Sequence, residues 1–231
     1  MDFFTRLDAV RERWNVLEHP FYKGWNEGAL SREDIGFYAG EYRHAVVALA
    51  DAVDSAARAA EPAIRAELEQ HAAEEASHIE LWDAFGDAVG AEPSHEPLPE
   101  TRACAEAWTA GETALERLVA TYAVEAAQPA ISKTKLEGLV RHYGIDGGPA
   151  TEYFALHAEL DVMHAEHSRE LIEDRLEGAD ADRLLEVAET ALRGNWELLD
   201  GVGRRAPNGP SPSEERRPGA GRLSTAASTF F

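Results

Sequence analysis

Cysteine is almost missing from this chain of 231 residues, in which Cys104 is the only one. A single thiol excludes a disulfide framework and a zinc site built from cysteines, so a reducing, cytoplasmic location is expected. Long apolar runs are also missing, and none approaches the ~20 residues that a membrane-spanning helix needs. The first ten residues are amphipathic and carry Asp2, Arg6 and Asp8, which does not fit a signal peptide.

Positive charge is scarce as well. Lys and Arg together number 22 against 43 Asp and Glu, so the formal net charge is −21 at pH 7. Such a chain repels polyanions, which argues against nucleic acid and anionic membranes as main partners. Only three residues are lysines, namely Lys23, Lys133 and Lys135. A lysine at a functional position is therefore more informative here than in an average chain.

Strand patterns are missing too, because no segment alternates apolar and polar residues. Apolar residues instead recur at helical spacing, and Ser31 is a typical N-cap. We expect an all-α, compact bundle of about seven helices over residues 1–202, with a loop at 18–30 and a helix that starts near residue 100 and breaks near Pro129. Residues 203–231 are rich in Pro, Gly, Ser and Arg and are predicted to be a disordered tail.

The stretch YFALHAELDVMHAEH contains an H-x3-D-x2-H motif formed by His157, Asp161 and His164. At about 100° per residue, these three side chains point the same way from one helix. Two imidazoles and a carboxylate within one arc can bind a divalent metal. The alternative is a buried polar face satisfied by hydrogen bonds.

Further candidate ligands lie on other predicted helices. Glu125 stands in the apolar run TYAVEAA, where an unpaired acid is costly to bury, so a ligand role is favoured. His78 follows Glu74 and Glu75 at helical spacing, which suits either chelation of a cation or an ordinary surface pair. Glu41 has core-facing neighbours but also fits the solvated edge of its helix. The remaining histidines with no partner pattern are interpreted as structural: His19, His44, His71, His95 and His142.

Together these motifs resemble the haem-oxygenase-like di-metal oxidases, within the superfamily of thiaminase II and pyrroloquinoline-quinone synthase. The most specific segments are YAVEAAQPAISKTKLEGLVRHYG and YFALHAELDVMHA. The resemblance implies a haem-oxygenase-like fold and a pair of iron ions, or iron and manganese, that uses dioxygen and an external reductant. A homodimer is a further expectation. The ligands that the resemblance implies are Glu41, Glu74 or Glu75, His78, Glu125, His157, Asp161 and His164.

Within that family the chain resembles the chlamydial type of para-aminobenzoate synthase, a self-sacrificing enzyme of folate precursor synthesis. This resemblance implies that Tyr22 supplies the aromatic ring, that Lys135 supplies the amino group, and that Tyr38 belongs to the same site. Two alternatives stay open. In the first, the same site acts on an external amino acid, fatty acid or pyrroloquinoline-quinone-like precursor. In the second, the protein binds metal or a partner without turnover. Thiaminase II needs a cysteine nucleophile in its pocket. Thiaminase activity is not expected here, because the only cysteine, Cys104, lies in a different helix region from the candidate site.

Overall fold

The computed structural model describes residues 2–92 and 96–205, apart from the side chains of residues 160 and 162. Within these ranges the chain forms nine α-helices, a 3₁₀ turn at Val16–Glu18 and a π-helical segment at Leu139–Tyr143, and it forms no strand. None of the described helices is long and apolar enough to cross a membrane. The α-helices are α1 (Phe3–Arg13), α2 (Pro20–Glu27), α3 (Arg32–Ala59), α4 (Pro62–Val89), α5 (Pro99–Thr109), α6 (Ala114–Glu125), α7 (Gln128–Gly138), α8 (Pro149–Glu173) and α9 (Ala181–Arg205).

The all-α prediction is confirmed, although the described residues contain more helices than the seven expected. One extra helix, α2, forms where a loop was predicted. His19 caps it by accepting a hydrogen bond from the Phe21 N–H at 3.0 Å, and Gly28 ends it in the left-handed conformation with φ of 67°. Another break separates α5 from α6 at Gly111, where an added Cβ would lie 2.8 Å from the backbone nitrogen of Arg117. Breaks at glycines therefore divide the bundle into more helices than the apolar pattern predicts.

The ends of the long helices follow the predicted caps. α3 begins at a capping box, in which Ser31 accepts from the backbone N–H of Asp34 at 3.1 Å and Asp34 accepts in return from that of Ser31 at 2.8 Å. α4 begins with Pro62 in its first turn and ends at Gly90, whose φ is 78°. These local signals fix where the two helices start and stop, and hence which side chains face each other.

α9 packs against α5 and α6 and closes the bundle. Its buried face includes Trp196, Leu198 and Leu199. The helix continues to Arg205, so it takes in the first residues of the segment predicted to be a tail. The rest of that predicted tail, residues 206–231, lies outside the described residues.

The core consists of two apolar clusters that meet at α4 and α6. The first is rich in aromatic rings and includes Ala72 of α4 and Val124 of α6. The second is mostly aliphatic and includes Leu68 of α4 and Ala123 of α6. Polar side chains on α4 and α6 that point between the clusters are therefore cut off from water by both, which is where the candidate site lies.

Close packing of α7 against α2 gives a test of the fold. A Cβ added at Gly138 would lie 2.5 Å from Cδ1 of Trp25, a fully buried ring whose Nε1 donates to the Lys135 carbonyl at 3.1 Å. Because that ring cannot move aside freely, we expect Gly138→Ala to lower the free energy of unfolding by about 1–3 kcal/mol in denaturant titrations. Gly203→Ala is the matched control, since nothing lies within 4 Å of its added Cβ. The packing is described wrongly if both variants unfold at the wild-type midpoint.

Candidate metal centre

α4 and α8 carry the same ligand spacing and run antiparallel. His71, Glu75 and His78 on α4 repeat the H-x3-acid-x2-H pattern of the motif predicted on α8. The ring of His78 lies 4.5 Å from that of His157, and the ring of His71 lies 4.4 Å from that of His164, measured between centroids. The first histidine of each motif thus faces the last histidine of the other. His71 was interpreted as structural from the sequence, and the repeated spacing is the signal that would have found it.

The inner group consists of Glu75, His78 and His157, all buried. Oε1 of Glu75 lies 3.2 Å from Nδ1 of His78, and one ligand atom from each of the three residues lies within 4.8 Å of the others. Nδ1 of His157 lies 2.7 Å from the carbonyl oxygen of Tyr153. Because a carbonyl can only accept, Nδ1 carries the hydrogen and Nε2 keeps its lone pair for a cation.

The outer group consists of His71, Glu75 and His164. Oε1 of Glu125 approaches Nε2 of His71 at 3.3 Å, and Oδ1 of Asp161 lies 3.9 Å from Nδ1 of His164. Glu75 belongs to both groups, so its carboxylate is shared between them and could contact a cation in either. Six of the ligands that the resemblance implies lie together here, on α4, α6 and α8, namely Glu75, His78, Glu125, His157, Asp161 and His164.

Polar atoms without a hydrogen bond indicate what the centre is built to hold. Buried polar groups in proteins normally have hydrogen-bond partners, and exceptions need an explanation. Among the described residues, seven buried side-chain atoms of this centre make no hydrogen bond. Hard oxygen and imidazole donors without a thiolate suit iron or manganese. These atoms are Nε2 of His71, Nδ1 of His78, Oε1 and Oε2 of Glu125, Nε2 of His157, Oδ2 of Asp161 and Nδ1 of His164. Some of them still make ion-pair contacts, because Nε2 of His71 lies 3.3 Å from Oε1 of Glu125 and Nδ1 of His78 lies 3.2 Å from Oε1 of Glu75.

Proton affinities in the centre are strongly shifted. Burial, reinforced by the charges of Glu125 and Glu75, raises the pKa of Asp161 to about 9. Burial lowers the pKa of His157 to about 4, so this imidazole is neutral and ready to coordinate. Burial works against protonation of His71 too, but the neighbouring carboxylates outweigh it and raise the pKa of His71 to about 9. Protons therefore balance the excess negative charge wherever a cation does not.

The structure separates the two glutamates that the sequence left as alternatives. Glu75 is buried between both histidine pairs. Glu74 is half-buried at the rim, where its Oε2 lies 3.2 Å from Nε2 of His164 and its Oε1 accepts from Gln70 at 3.0 Å. Glu75 therefore lies within both candidate ligand groups, whereas the described contact of Glu74 with the centre is through the outer histidine.

Glu41, which the resemblance implies as a ligand, makes its described contacts at the start of α5. Its carboxylate is fully buried, but Oε2 accepts from the backbone N–H of Leu98 at 3.1 Å and also from the hydroxyl of Thr101. Leu98 precedes the first residue of α5, so Glu41 satisfies the start of that helix. The described contacts of Glu41 thus anchor α5 on α3 and do not bring it into the histidine and carboxylate groups.

Beside the metal centre lies a box of aromatic rings around Lys135. This side chain is 1% exposed, and burial lowers its pKa well below the ordinary value, which favours the neutral amine. The hydroxyls of Tyr22 and Tyr38 are hydrogen-bonded to each other at 2.9 Å. The structure thus brings together the three residues that the resemblance implied. Nζ of Lys135 lies 4.6–5.6 Å from the ring centroids of Tyr22, Tyr38, Tyr42, Trp82 and Phe154.

Tyr153 connects this aromatic box to the metal centre. Its ring stacks on His157 with 4.0 Å between centroids, and it meets Trp82 edge-on at 4.8 Å. The rings of Trp82 and Tyr153 therefore connect the Lys135 amine to His157 of the inner group. Cys104, by contrast, is buried in α5, and burial raises the pKa of its thiol, which does not suit a nucleophile.

These features define a helical bundle with a buried histidine–carboxylate centre suited to two divalent cations. The chain belongs to the TENA/THI-4/PQQC family, whose family model matches residues 7–201. It is 30% identical to a 4-aminobenzoate synthase of Chlamydia muridarum over 212 residues, which cover 87% of this chain and 89% of the relative. It is 26% identical to a pyrroloquinoline-quinone synthase of Pseudomonas aeruginosa, with 86% of each chain covered.

A solved structure confirms the predicted architecture. A domain from Shewanella denitrificans described as having a haem oxygenase-like fold superposes with a TM-score of 0.73 at 20% identity, covering 88% of this chain and 93% of that one. At this identity the likeness establishes the fold alone. The fold prediction is thus confirmed, and the site stands on its own geometry.

Metal content tests the pairing of the two motifs. We expect the wild-type protein to take up about two divalent cations per chain and His71→Ala about one fewer, because His71 belongs only to the outer group. Glu75→Gln is expected to lose both, since its carboxylate is shared. Mass spectrometry for iron and manganese measures the content, circular dichroism checks the fold, and His142→Ala, an exposed histidine, is the control. Unchanged metal in His71→Ala would rule out its ligand role.

Proton release tests the electrostatics of the centre. Below pH 9, His71 and Asp161 each hold a proton that a cation must displace, because both pKa values are raised to about 9. Apparent affinity for Mn²⁺ should therefore rise with pH and level off above about pH 9, with roughly two protons released near neutral pH. Calorimetry in buffers of different ionisation enthalpy measures the release. Affinity that is flat across this range would contradict the assignment.

Proposed function

We propose that this protein is a metal-dependent oxygenase that makes para-aminobenzoate from its own side chains. In this proposal Tyr22 is the source of the ring and Lys135 is the source of the amino group. The observation that carries it is the enclosure of a neutral Lys135 amine among tyrosine rings next to a histidine–carboxylate centre. The identity with a relative named 4-aminobenzoate synthase supports the same product.

The two groups of ligands suit two cations. Glu75, His78 and His157 would hold one, and His71 and His164, assisted by Glu125 and Asp161, would hold the other. When bound, a pair of iron ions, or iron and manganese, supplies the activation of dioxygen with electrons from an external reductant. The unpaired nitrogen and oxygen atoms of the centre are the observation that supports this assignment.

The two buried tyrosines hold each other in place. Burial raises the pKa of Tyr22 and of Tyr38 well above the ordinary value, so both phenols keep their protons at neutral pH. Their hydroxyl oxygens lie 2.9 Å apart, within hydrogen-bond distance. Tyr38 thus orients the hydroxyl of the proposed substrate ring.

Lys135 is prepared as a nitrogen donor by its surroundings. An ammonium ion has no free electron pair, whereas the neutral amine that burial produces has one on Nζ. The aromatic walls also exclude water, which would otherwise compete with the amine for an oxidised ring. Lys135 lies 5.2 Å from the centroid of the Tyr22 ring, so donor and acceptor are neighbours without being in bonding contact.

An external substrate is the second candidate. A cavity of about 220 Å³ opens beside His71 and His164, so a small molecule has a path to the outer group. The relative named pyrroloquinoline-quinone synthase supports chemistry on a diffusible molecule in this family. In that case product would form in excess of protein and the chain would keep its mass.

Intact mass and product distinguish the two candidates. Purified protein with ferrous iron, a reductant and dioxygen is expected to release para-aminobenzoate in amounts never exceeding the number of chains, with a matching loss of mass at Tyr22. Lys135→Met keeps the length of the stem and removes the amine, so product should vanish while metal content is kept. Lys133→Met is the matched control, because Lys133 is exposed and two residues away.

A second pair of variants tests the hydroxyl of Tyr22, the proposed source of the ring. Tyr22→Phe removes the hydrogen bond to Tyr38 and should abolish product, whereas Tyr143→Phe removes a hydroxyl that donates to the Trp25 carbonyl at 3.3 Å and should not. Full product from both Tyr22→Phe and Lys135→Met would overturn the self-sacrificing mechanism. Multiple turnovers with unchanged mass would favour the external substrate.

A further inference from the structure

Metal-ligating side chains continue beyond the centre in a line towards the surface. On α8, His157 is 1% exposed, while the side chains of His164 and His167 are 15% and 39% exposed. On α4, the side chain of Glu67 is 56% exposed and lies one turn before His71. Oε1 of Glu67 lies 3.1 Å from Nε2 of His167. A third imidazole–carboxylate pair therefore follows the outer group at helical spacing.

This surface pair borders the cavity that reaches the outer group. Residues of α4 and α8 alone line the cavity of about 220 Å³. His71 and His164 form its inner end. Nε2 of His71 lies 3.3 Å from Oε1 of Glu125, and Nδ1 of His164 makes no hydrogen bond among the described residues. The other lining residues are Glu67, Leu68, Gln70, Glu74, Met163 and His167.

The opposite side of the centre is closed by aromatic packing. Tyr153 stacks on His157 at 4.0 Å, and Trp82 and Phe154 pack around Tyr153 at 4.8 and 5.5 Å between centroids. These three rings are buried. A hydrated cation cannot cross such a layer without losing its water and gaining no ligand, which is costly.

We infer that the cavity is the port through which divalent cations reach the centre, with Glu67 and His167 as a transit site. This inference rests on the proposed metal centre. A cation that leaves water finds first one carboxylate and one imidazole, and then the same donor types one turn deeper at His71 and His164. Ligands are exchanged one by one, so the ion is never stripped of donors. The net charge of −21 adds a general attraction for cations.

The route also makes the two metal positions unequal. A cation that arrives through the port meets the outer group before the inner group, because His71 and His164 line the cavity and His78 and His157 are buried behind them. The outer position should therefore exchange with solvent faster than the inner one. A chelator added to the loaded protein should remove the metal in two phases of roughly equal amplitude.

The test is the rate of Co²⁺ uptake by the full-length apoprotein, followed by its visible absorption bands after rapid mixing. We expect the double variant Glu67→Gln/His167→Asn to load at least about tenfold more slowly than wild type, with a weaker dependence on ionic strength. Final cobalt content should equal that of wild type, since neither residue belongs to the centre. Glu69→Gln/His142→Asn is the matched control, because it removes the same charge and an imidazole from exposed positions away from the cavity.

Each outcome decides between the possibilities. Slow uptake with full final content in the double variant, and wild-type uptake in the control, is the expected result. Wild-type uptake rates in both variants would overturn the port while leaving the metal centre intact. Equal slowing in both variants would also overturn it, because general charge would then explain the effect. Failure of the wild-type protein to bind cobalt, iron or manganese would overturn the proposed centre and the port together.

Discussion

The antiparallel packing of α4 against α8 is the constraint on which the rest of the site depends. It sets two copies of one ligand spacing face to face, so that each histidine meets the histidine at the opposite end of the other motif. Glu75 and Asp161 on these helices, with Glu125 of α6, lie buried close together, where like charges repel. Desolvation makes that arrangement unfavourable unless protons or cations balance it. The helix pair therefore creates both the ligand geometry and the need for positive charge.

A second consequence of burial lies one layer away. Lys135 is enclosed by aromatic rings, and burial lowers its pKa well below the ordinary value, whereas carboxylate neighbours raise the pKa of His71 to about 9. The two residues differ in their neighbouring side chains, because aromatic rings surround the lysine and carboxylates surround the histidine. Tyr153 separates these two environments and contacts both. The proposed redox chemistry at the centre and the proposed nitrogen chemistry at the lysine would thus lie side by side in one buried core.

Much of this arrangement could be predicted from the sequence, and the failures have physical reasons. Helical periodicity predicts the fold class, and the arc of His157, Asp161 and His164 follows from the helical repeat alone. The segment of helix α2 was predicted to be a loop because its glycines favour loops. The helix starts at a cap made by the His19 side chain, which the sequence pattern does not reveal. Glu41 could not be placed, since its role depends on where α5 begins in space.

His71 is a different case, because its signal was present in the sequence. It precedes Glu75 by four residues and His78 by seven, which repeats the spacing already recognised on α8. The burial of Lys135, by contrast, leaves no trace in local pattern, since a lysine in an amphipathic helix normally faces water. Only the packing of α7 against α2 and α8 brings it inside.

The most direct test of the account is anomalous diffraction from crystals loaded with manganese or iron. It locates the cations without any assumption about chemistry. The account predicts two anomalous peaks between α4 and α8, one beside His78 and His157 and one beside His71 and His164, with the Glu75 carboxylate between them. A single peak, or a peak coordinated by Glu41, would contradict it.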